Sequence, residues 1–306
     1  MHTLSCLVRP LFRAFFTLKH SMKKGEVPTG STICMQEVIE LWLKDKEACW
    51  KTSTYASYQN IAMKYIIPKL GQNKIARIDN LTLEEFATEI RHLPDGECLS
   101  NSYLHSICSI VIMALSHVKK KYNYDIILPE NPVTQTKQGT MILPSEHDMG
   151  VLEQYLIKNA DDDTCLGILI AFHTGIRIGE LCALKWENID LTEGTIFIKE
   201  NLQRITNRRD RECGTELLFQ TPKTITSLRV IPISPVLLDT LKKQYPGKSG
   251  YVVKGKKKPW AEPRTMQYRF KNLLKKLSLP CINFHILRHM FATRCISLGF
   301  DVKTLS

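Results

Sequence analysis

The chain has 306 residues, 43% hydrophobic and 24% charged, with a formal net charge of +12. These proportions describe an ordinary globular protein with room for two cored domains, and the positive balance favours a polyanionic partner, nucleic acid most simply, although many basic proteins bind none. Ten cysteines without a Cys-x-x-Cys pair argue against a zinc ribbon and suit small buried apolar residues in a reducing cytoplasmic compartment, and no apolar run is long enough to span a bilayer.

Residues 1–33 form an uncertain N-terminal extension. Arg9, Arg13 and Lys19 interrupt its apolar stretch, which excludes a secretory signal, and translation starts at either Met1 or Met22. From Cys34, the spacing of Met35, Val38, Ile39, Trp42 and Leu43 predicts a helix. A second helix opens at Thr52 and is expected to end at Pro68 and Gly71. Thr82 with Glu85 has the spacing of a capping box. A longer helix is predicted from Ser100 to Lys120, striped by Leu104, Ile107, Val111, Ala114 and Val118. Residues 34–132 are therefore expected to be a small all-helical domain. Residues 133–143, polar and aperiodic, fit a linker, or else a long loop inside one domain.

Residues 144–306 make the second domain. Ser145 with Asp148 is a candidate helix start, and Leu166–Phe172 is apolar all round, as in a buried helix. The period changes after Gly194. Thr195–Ile198, Glu216–Phe219 and Leu228–Pro232 are predicted strands, separated by a polar, basic excursion at Arg204–Arg211. Helices are expected again at Val236–Tyr245, Arg264–Leu277 and around Phe284–Arg294. The fold class is mainly α with a small antiparallel β-sheet.

Basic residues crowd the span from Lys242 to Lys276, where Glu262 is the sole acid. Within it, Lys256, Lys257, Lys258, Arg264 and Arg269 suit a phosphate backbone, each neutralised phosphate releasing counterions. A solvated helix face would have the same composition. In the first domain, Lys51, Thr52, Thr54 and Tyr55 stand at a helix start, where backbone N–H groups favour a phosphate, though capping and packing account for them equally.

Four residues have the chemistry to handle a phosphodiester. Arg177 and Arg288 each offer a rigid, permanently charged fork of donors. His285 shares a helical face with Arg288, so both can reach one phosphate. Lys223, in a turn beside a strand, can protonate a leaving oxygen if its pKa is lowered. Each has a plainer role too: Arg177 and Glu180 fit an i, i+3 ion pair, and Lys223 fits a solvated charge. His285 and His289 have metal-ligand spacing, but a zincin has Glu where this chain has Ile286, so no metal is expected.

Together, three stretches resemble the tyrosine recombinases, the integrases of phages and conjugative transposons. Thr174-Gly175-Ile176-Arg177-Ile178-Gly179-Glu180-Leu181 is similar to their first arginine box. Thr221-Pro222-Lys223-Thr224 through Ser227–Pro232 is similar to their lysine-bearing hairpin. His285-Ile286-Leu287-Arg288 is similar to their His-x-x-Arg box. The resemblance implies a helical core-binding domain and a catalytic domain. It implies that Arg177 and Arg288 clamp the scissile phosphate, that His285 bonds a non-bridging oxygen, that Lys223 acts as general acid, and that Glu180 supports Arg177. It further implies double-stranded recombination sites as partner, homo-oligomers on that DNA, a nucleoid-associated location, and neither metal nor nucleotide cofactor. Family members carry a further histidine or tryptophan and then a tyrosine nucleophile beyond the position of Ser306, whereas none of the ten tyrosines here follows Arg288. The expectation is a recombinase truncated before its nucleophile, which binds DNA without completing catalysis. The alternative is a non-catalytic DNA-binding fragment or regulator.

Overall fold

The computed structural model describes residues 33–92, 96, 98–134, 144–207, 214–220, 229–245 and 247–300. The chain divides into two compact units, Met1–Gly139 and Thr140–Ser306.

The first unit is helical. Helix α1 (Met35–Lys46) buries the predicted stripe of Met35, Val38, Ile39, Trp42 and Leu43. Helix α2 (Thr52–Ile61) continues through a π-helical turn, Ala62–Ile66, into α3 (Ile67–Leu70). Pro68 does not end the helix as expected. It falls at the second position of α3, directly after the π turn, whose wider Ile67 N–H to Ala62 carbonyl bond ends just before the residue that has no N–H to give. Gly71 is the stop. Helix α4 (Asn80–Arg91) is capped by Asp79, whose carboxylate accepts from the Thr82 backbone N–H at 2.8 Å. The expected Thr82–Glu85 box therefore lies inside the helix, and Thr82 spends its hydroxyl on the Arg77 carbonyl and on Asp79. Helix α5 (Asn101–Tyr122) starts at Ser100 and ends on Asn123 in the left-handed region. Its last turns meet the end of α1 through Asp45, which receives His117, Lys121 and Tyr122 at 2.8, 2.6 and 2.9 Å. Val133, the first residue of the expected linker, is buried in this core, and the rest of that stretch from residue 135 lies outside the described residues.

In the second unit, α6 (Glu146–Lys158) carries the expected Ser145–Asp148 capping box. Helix α7 (Asp163–Thr174) is the buried one: Leu166 through Ala171 are all shielded from solvent. Helix α8 (Ile178–Ala183) follows. Strands β1 (Ile189–Asp190), β2 (Thr195–Ile198) and β5 (Arg229–Pro232) form an antiparallel sheet in the order β1-β2-β5. A separate hairpin pairs β3 (Asn201–Asn207) with β4 (Gly214–Gln220), Asn201 opposite Gln220 and Asn207 opposite Gly214. The stretch predicted as an irregular excursion from Arg204 thus begins inside a strand. Leu202 and Ile205 are buried, but they stand three apart, so β3 lacks a clean period of two. Helices α9 (Pro235–Gln244), α10 (Pro263–Lys276) and α11 (His285–Ser297) complete the unit. Helix α11 packs on α7, anchored by buried Phe284 and Leu287.

The cysteines follow expectation only in part. Among the eight described, Cys108, Cys165 and Cys182 are buried, and burial pushes their thiols up to about 11, about 12 and about 12. Cys49, Cys98 and Cys281 are exposed. Among the described residues no helix is long and apolar enough to cross a membrane, and no group of His, Cys, Asp and Glu could hold a metal ion.

Candidate phosphate-binding site

The site is built where α7 ends. Thr174 bonds back to the Ile170 carbonyl through its hydroxyl at 2.6 Å. Gly175 then takes φ +61°, a conformation costly for any residue with a Cβ. A Cβ there would also lie 2.6 Å from Phe291 Cδ1 on α11. This turn reverses the chain and places Arg177 at the N-cap of α8, with extended backbone.

Glu180, 8% exposed, is the hub. Its Oε2 accepts from the Arg177 backbone N–H at 2.9 Å and its Oε1 from Arg177 Nη1 at 3.1 Å. Arg229, the first residue of β5, donates to the same carboxylate through both terminal nitrogens, at 2.9 Å to Oε1 and 2.6 Å to Oε2. Burial raises the Glu180 pKa, but the hydrogen bonds from Arg229 and Arg177 and their charges outweigh it and hold the carboxyl below its usual value. Close packing behind the hub depends on Gly179, where a Cβ would collide with the Asn201 side chain and lie 2.6 Å from the Leu202 carbonyl oxygen.

Arg288 reaches this hub across 113 residues of sequence, with Nη1 donating to the Gly175 carbonyl at 2.8 Å. Burial first, then the charges of Arg177 and Arg229, lower its pKa against the pull of Glu180; a guanidinium stays protonated near neutrality regardless. One turn back, His285 stacks edge-on with His289 at 4.7 Å. Partial burial and the neighbouring His289, Arg288 and Arg177 hold its imidazole below 6.5. At neutral pH it therefore offers one N–H donor and one acceptor. The charges of Arg177 and Arg229 thus act on Arg288 beside one buried carboxylate, and the Arg177 side chain is 52% exposed. Such a cluster is suited to a further anion, with forks that match the oxygens of a phosphate.

Of the residues expected from sequence, Arg177, Glu180, His285 and Arg288 are grouped in the structure. Lys223 lies outside the described residues. Arg229 falls within the hairpin stretch, where sequence alone assigned it no role. No local pattern marks it: the carboxylate it serves is 49 residues away, and the burial that leaves Glu180 with more acceptor capacity than Arg177 fills belongs to the fold.

The other named basic residues divide. Lys256, Lys257, Lys258 and Arg264 are exposed. Lys258, however, pairs with Glu262 at 3.1 Å, and Glu262 also holds Arg204 at 2.5 Å. Arg269 is turned to the Lys254 carbonyl at 3.0 Å and the Thr164 hydroxyl at 3.3 Å. In the first unit Lys51 is the N-cap residue of α2, Thr52 is exposed, Thr54 is half-buried, and Tyr55 packs partly against the core.

Comparison with known proteins decides the family. The model described as Phage integrase family matches residues 151–306, and the phage integrase N-terminal SAM-like domain matches residues 35–90. This chain belongs to the phage integrase family. Among its relatives, a tyrosine recombinase XerC-like protein of Caldanaerobacter subterraneus is 26% identical, covering 90% of this chain and 75% of its own. The ICEBs1 integrase of Bacillus subtilis is 22% identical over 94% of this chain and 78% of its own. Among solved structures, the Tn1549 transposon integrase in complex with transposon right end DNA superposes with TM-score 0.71 at 17% identity, covering 89% of this chain and 90% of that one. The lambda integrase bound to DNA gives 0.60 at 13% identity, covering 90% of both chains. These likenesses show that the integrase shares the fold of both neighbours.

Proposed function

We propose that this integrase is a site-specific DNA recombinase of a mobile element, and that Arg177, Arg288 and His285 hold the scissile phosphate. The observation that carries the reading is the bond from Arg288 to Gly175, which brings the second arginine box onto the first. Two fixed guanidinium groups stabilise the charge that builds on a phosphorus as a fifth oxygen approaches, and they do so without reorganising. His285 adds a neutral donor. Lys223, in the segment joining β4 to β5, is the general acid for the departing 5′ oxygen. Glu180 positions Arg177, and neither a metal nor a nucleotide takes part. Exposed Lys256, Lys257 and Arg264, with Lys51 and Thr52 of the first unit, supply sequence-independent backbone contacts. Residues 34–132 are the core-binding domain and 144–306 the catalytic domain. The partner is duplex DNA at recombination sites, bound by more than one copy of the chain.

Selection from fragmented host DNA tests this. The purified chain should enrich a pair of inverted half-sites flanking a short spacer at the ends of one element. Enrichment no better than for random fragments would refute the assignment.

A further inference from the structure

We propose that Arg229 is a positioning residue for the phosphate clamp: it takes up the charge of Glu180, so that the guanidinium of Arg177 keeps its own charge for the phosphate. The inference rests on the reading of this pocket as a phosphate site.

A buried carboxylate needs a counter-ion, because leaving it unpaired in a low dielectric is expensive. Glu180 could take Arg177 for that purpose, three residues away. A one-to-one pair of that kind would cancel the charge the pocket needs, and would draw the Arg177 fork inward. The structure divides the work differently. Among the described residues Glu180 accepts four hydrogen bonds, and two of them come from Arg229 in a parallel, fork-to-carboxylate arrangement at 2.9 and 2.6 Å. A third comes from the Arg177 backbone, which fixes the start of α8 without using side-chain charge. The fourth, from Arg177 Nη1, is the longest at 3.1 Å. Exposure follows the same division. The Arg229 side chain is 27% exposed and that of Arg177 52%, above the buried Glu180 carboxylate. The bidentate pair is the stronger type of ion pair, so Glu180 is satisfied mainly from the β5 side. Among the described residues the Arg177 side chain is tethered by one bond, to Glu180, and it stays 52% exposed, open to a ligand.

The same geometry explains why the partner comes from β5. Arg229 opens the strand, where Ile198 of β2 is its register partner. Residues 221–228 lead directly into it and include Lys223. One arginine therefore ties the start of β5 to the first arginine box. A lysine at 229 could supply the charge, but not the two parallel bonds.

The test is equilibrium binding of the full 306-residue chain to a fluorescein-labelled random duplex of about 30 base pairs, followed by anisotropy between about 50 and 300 mM salt, where each lost phosphate contact lowers the slope of log affinity against log salt by about 0.9. Arg229→Gln should weaken binding about tenfold at low salt and reduce the slope by about one contact, and Arg177→Gln should do the same. The double variant Glu180→Gln with Arg229→Gln removes both the acid and its counter-ion while leaving an amide oxygen that can still accept from the Arg177 backbone N–H, and should recover part of the affinity and of the slope lost in Arg229→Gln. Adding Arg177→Gln to that double variant should abolish the recovery, since the recovered contact is Arg177's. Three results overturn the inference: Arg229→Gln binding like the parent, the double variant staying as weak as the single one, or recovery that survives Arg177→Gln. If Arg229→Gln folds poorly, the double and triple variants decide the matter between themselves, and equal affinity of those two sinks the proposal. A parent chain that binds no duplex would instead remove the phosphate-site reading and this inference with it. Arg229→Lys should recover affinity only in part.

Discussion

Replacing Gly175 with alanine should be among the most damaging single-methyl changes in the second unit. Two separate costs arise. At φ +61° an alanine pays roughly 1 kcal/mol for the left-handed conformation. Its Cβ would also stand 2.6 Å from Phe291 Cδ1, 3.1 Å from Cγ and 3.3 Å from Cβ. Contact with Cβ as well as the ring means that rotating the ring cannot relieve it, so α11 must move off α7, at an overpacking cost of about 1–3 kcal/mol. The total is about 2–4 kcal/mol, read as a lower urea midpoint at unchanged slope. The displacement also stretches the 2.8 Å bond from Arg288 to the Gly175 carbonyl, so duplex affinity should fall while the protein is still folded. Pairing Gly175→Ala with Phe291→Ala should remove the collision and leave mainly the backbone cost, giving a favourable coupling of about 1–2 kcal/mol. A Gly175→Ala protein within about 0.5 kcal/mol of the parent, or a pair of substitutions that simply adds, would refute the packing argument.

Two further outcomes are expected. Asp45 is held down to about 2 from 3.8 because hydrogen bonds from Lys121, His117 and Tyr122 outweigh the opposing effect of burial. Its contribution is complete above 3.8 and is lost as pH falls from there toward about 2. The shift corresponds to at most about 2.5 kcal/mol, and solvent screening of half-exposed Lys121 brings it nearer 1; Asp45→Asn should therefore cost about 1 kcal/mol in urea unfolding at pH 7, and a cost undiminished near pH 2 would contradict the cause given. Tyr251 packs against Trp260 and Phe219 at 5.5 and 6.0 Å, and Tyr268 sits exposed on α10. Neither is assigned as nucleophile, so a nicked suicide duplex should form no covalent adduct through either; an adduct lost in Tyr251→Phe or Tyr268→Phe would reverse that assignment.

Much of this architecture is legible in residue patterns. The stripes of α1 and α5, the cap at Ser145, and the all-apolar α7 follow from helical period and local hydrogen bonding alone. The positions that mislead are those where a neighbour decides. Pro68 is accommodated by a π turn that no propensity announces. Thr82 has the composition of a cap, yet Asp79 three residues earlier takes the position and turns Thr82 into its partner. Strand β3 exists because Asn201–Asn207 pairs with β4, while its own apolar residues lack an alternating period. At the site, residue types pointed to Arg177, Glu180, His285 and Arg288, because the three stretches carry chemistry in local spacing. Arg229 meets Glu180 across 49 residues, and only the folded chain makes that pairing visible. The basic patch shows the reverse: composition could not tell exposed Lys256 and Lys257 from Lys258 and Arg269, which are committed to protein partners.

The central claim is that Arg177, Arg288 and His285 converge on one DNA phosphate, and neutralising phosphates one at a time tests it most directly. A duplex selected by the chain would be synthesised with single methylphosphonate substitutions, and the affinity measured at each position. One phosphate per half-site should show a large penalty with the parent chain, and that penalty should vanish with Arg177→Gln and Arg288→Gln while penalties elsewhere remain. A penalty that persists unchanged in both variants would show that these arginines do not hold that phosphate.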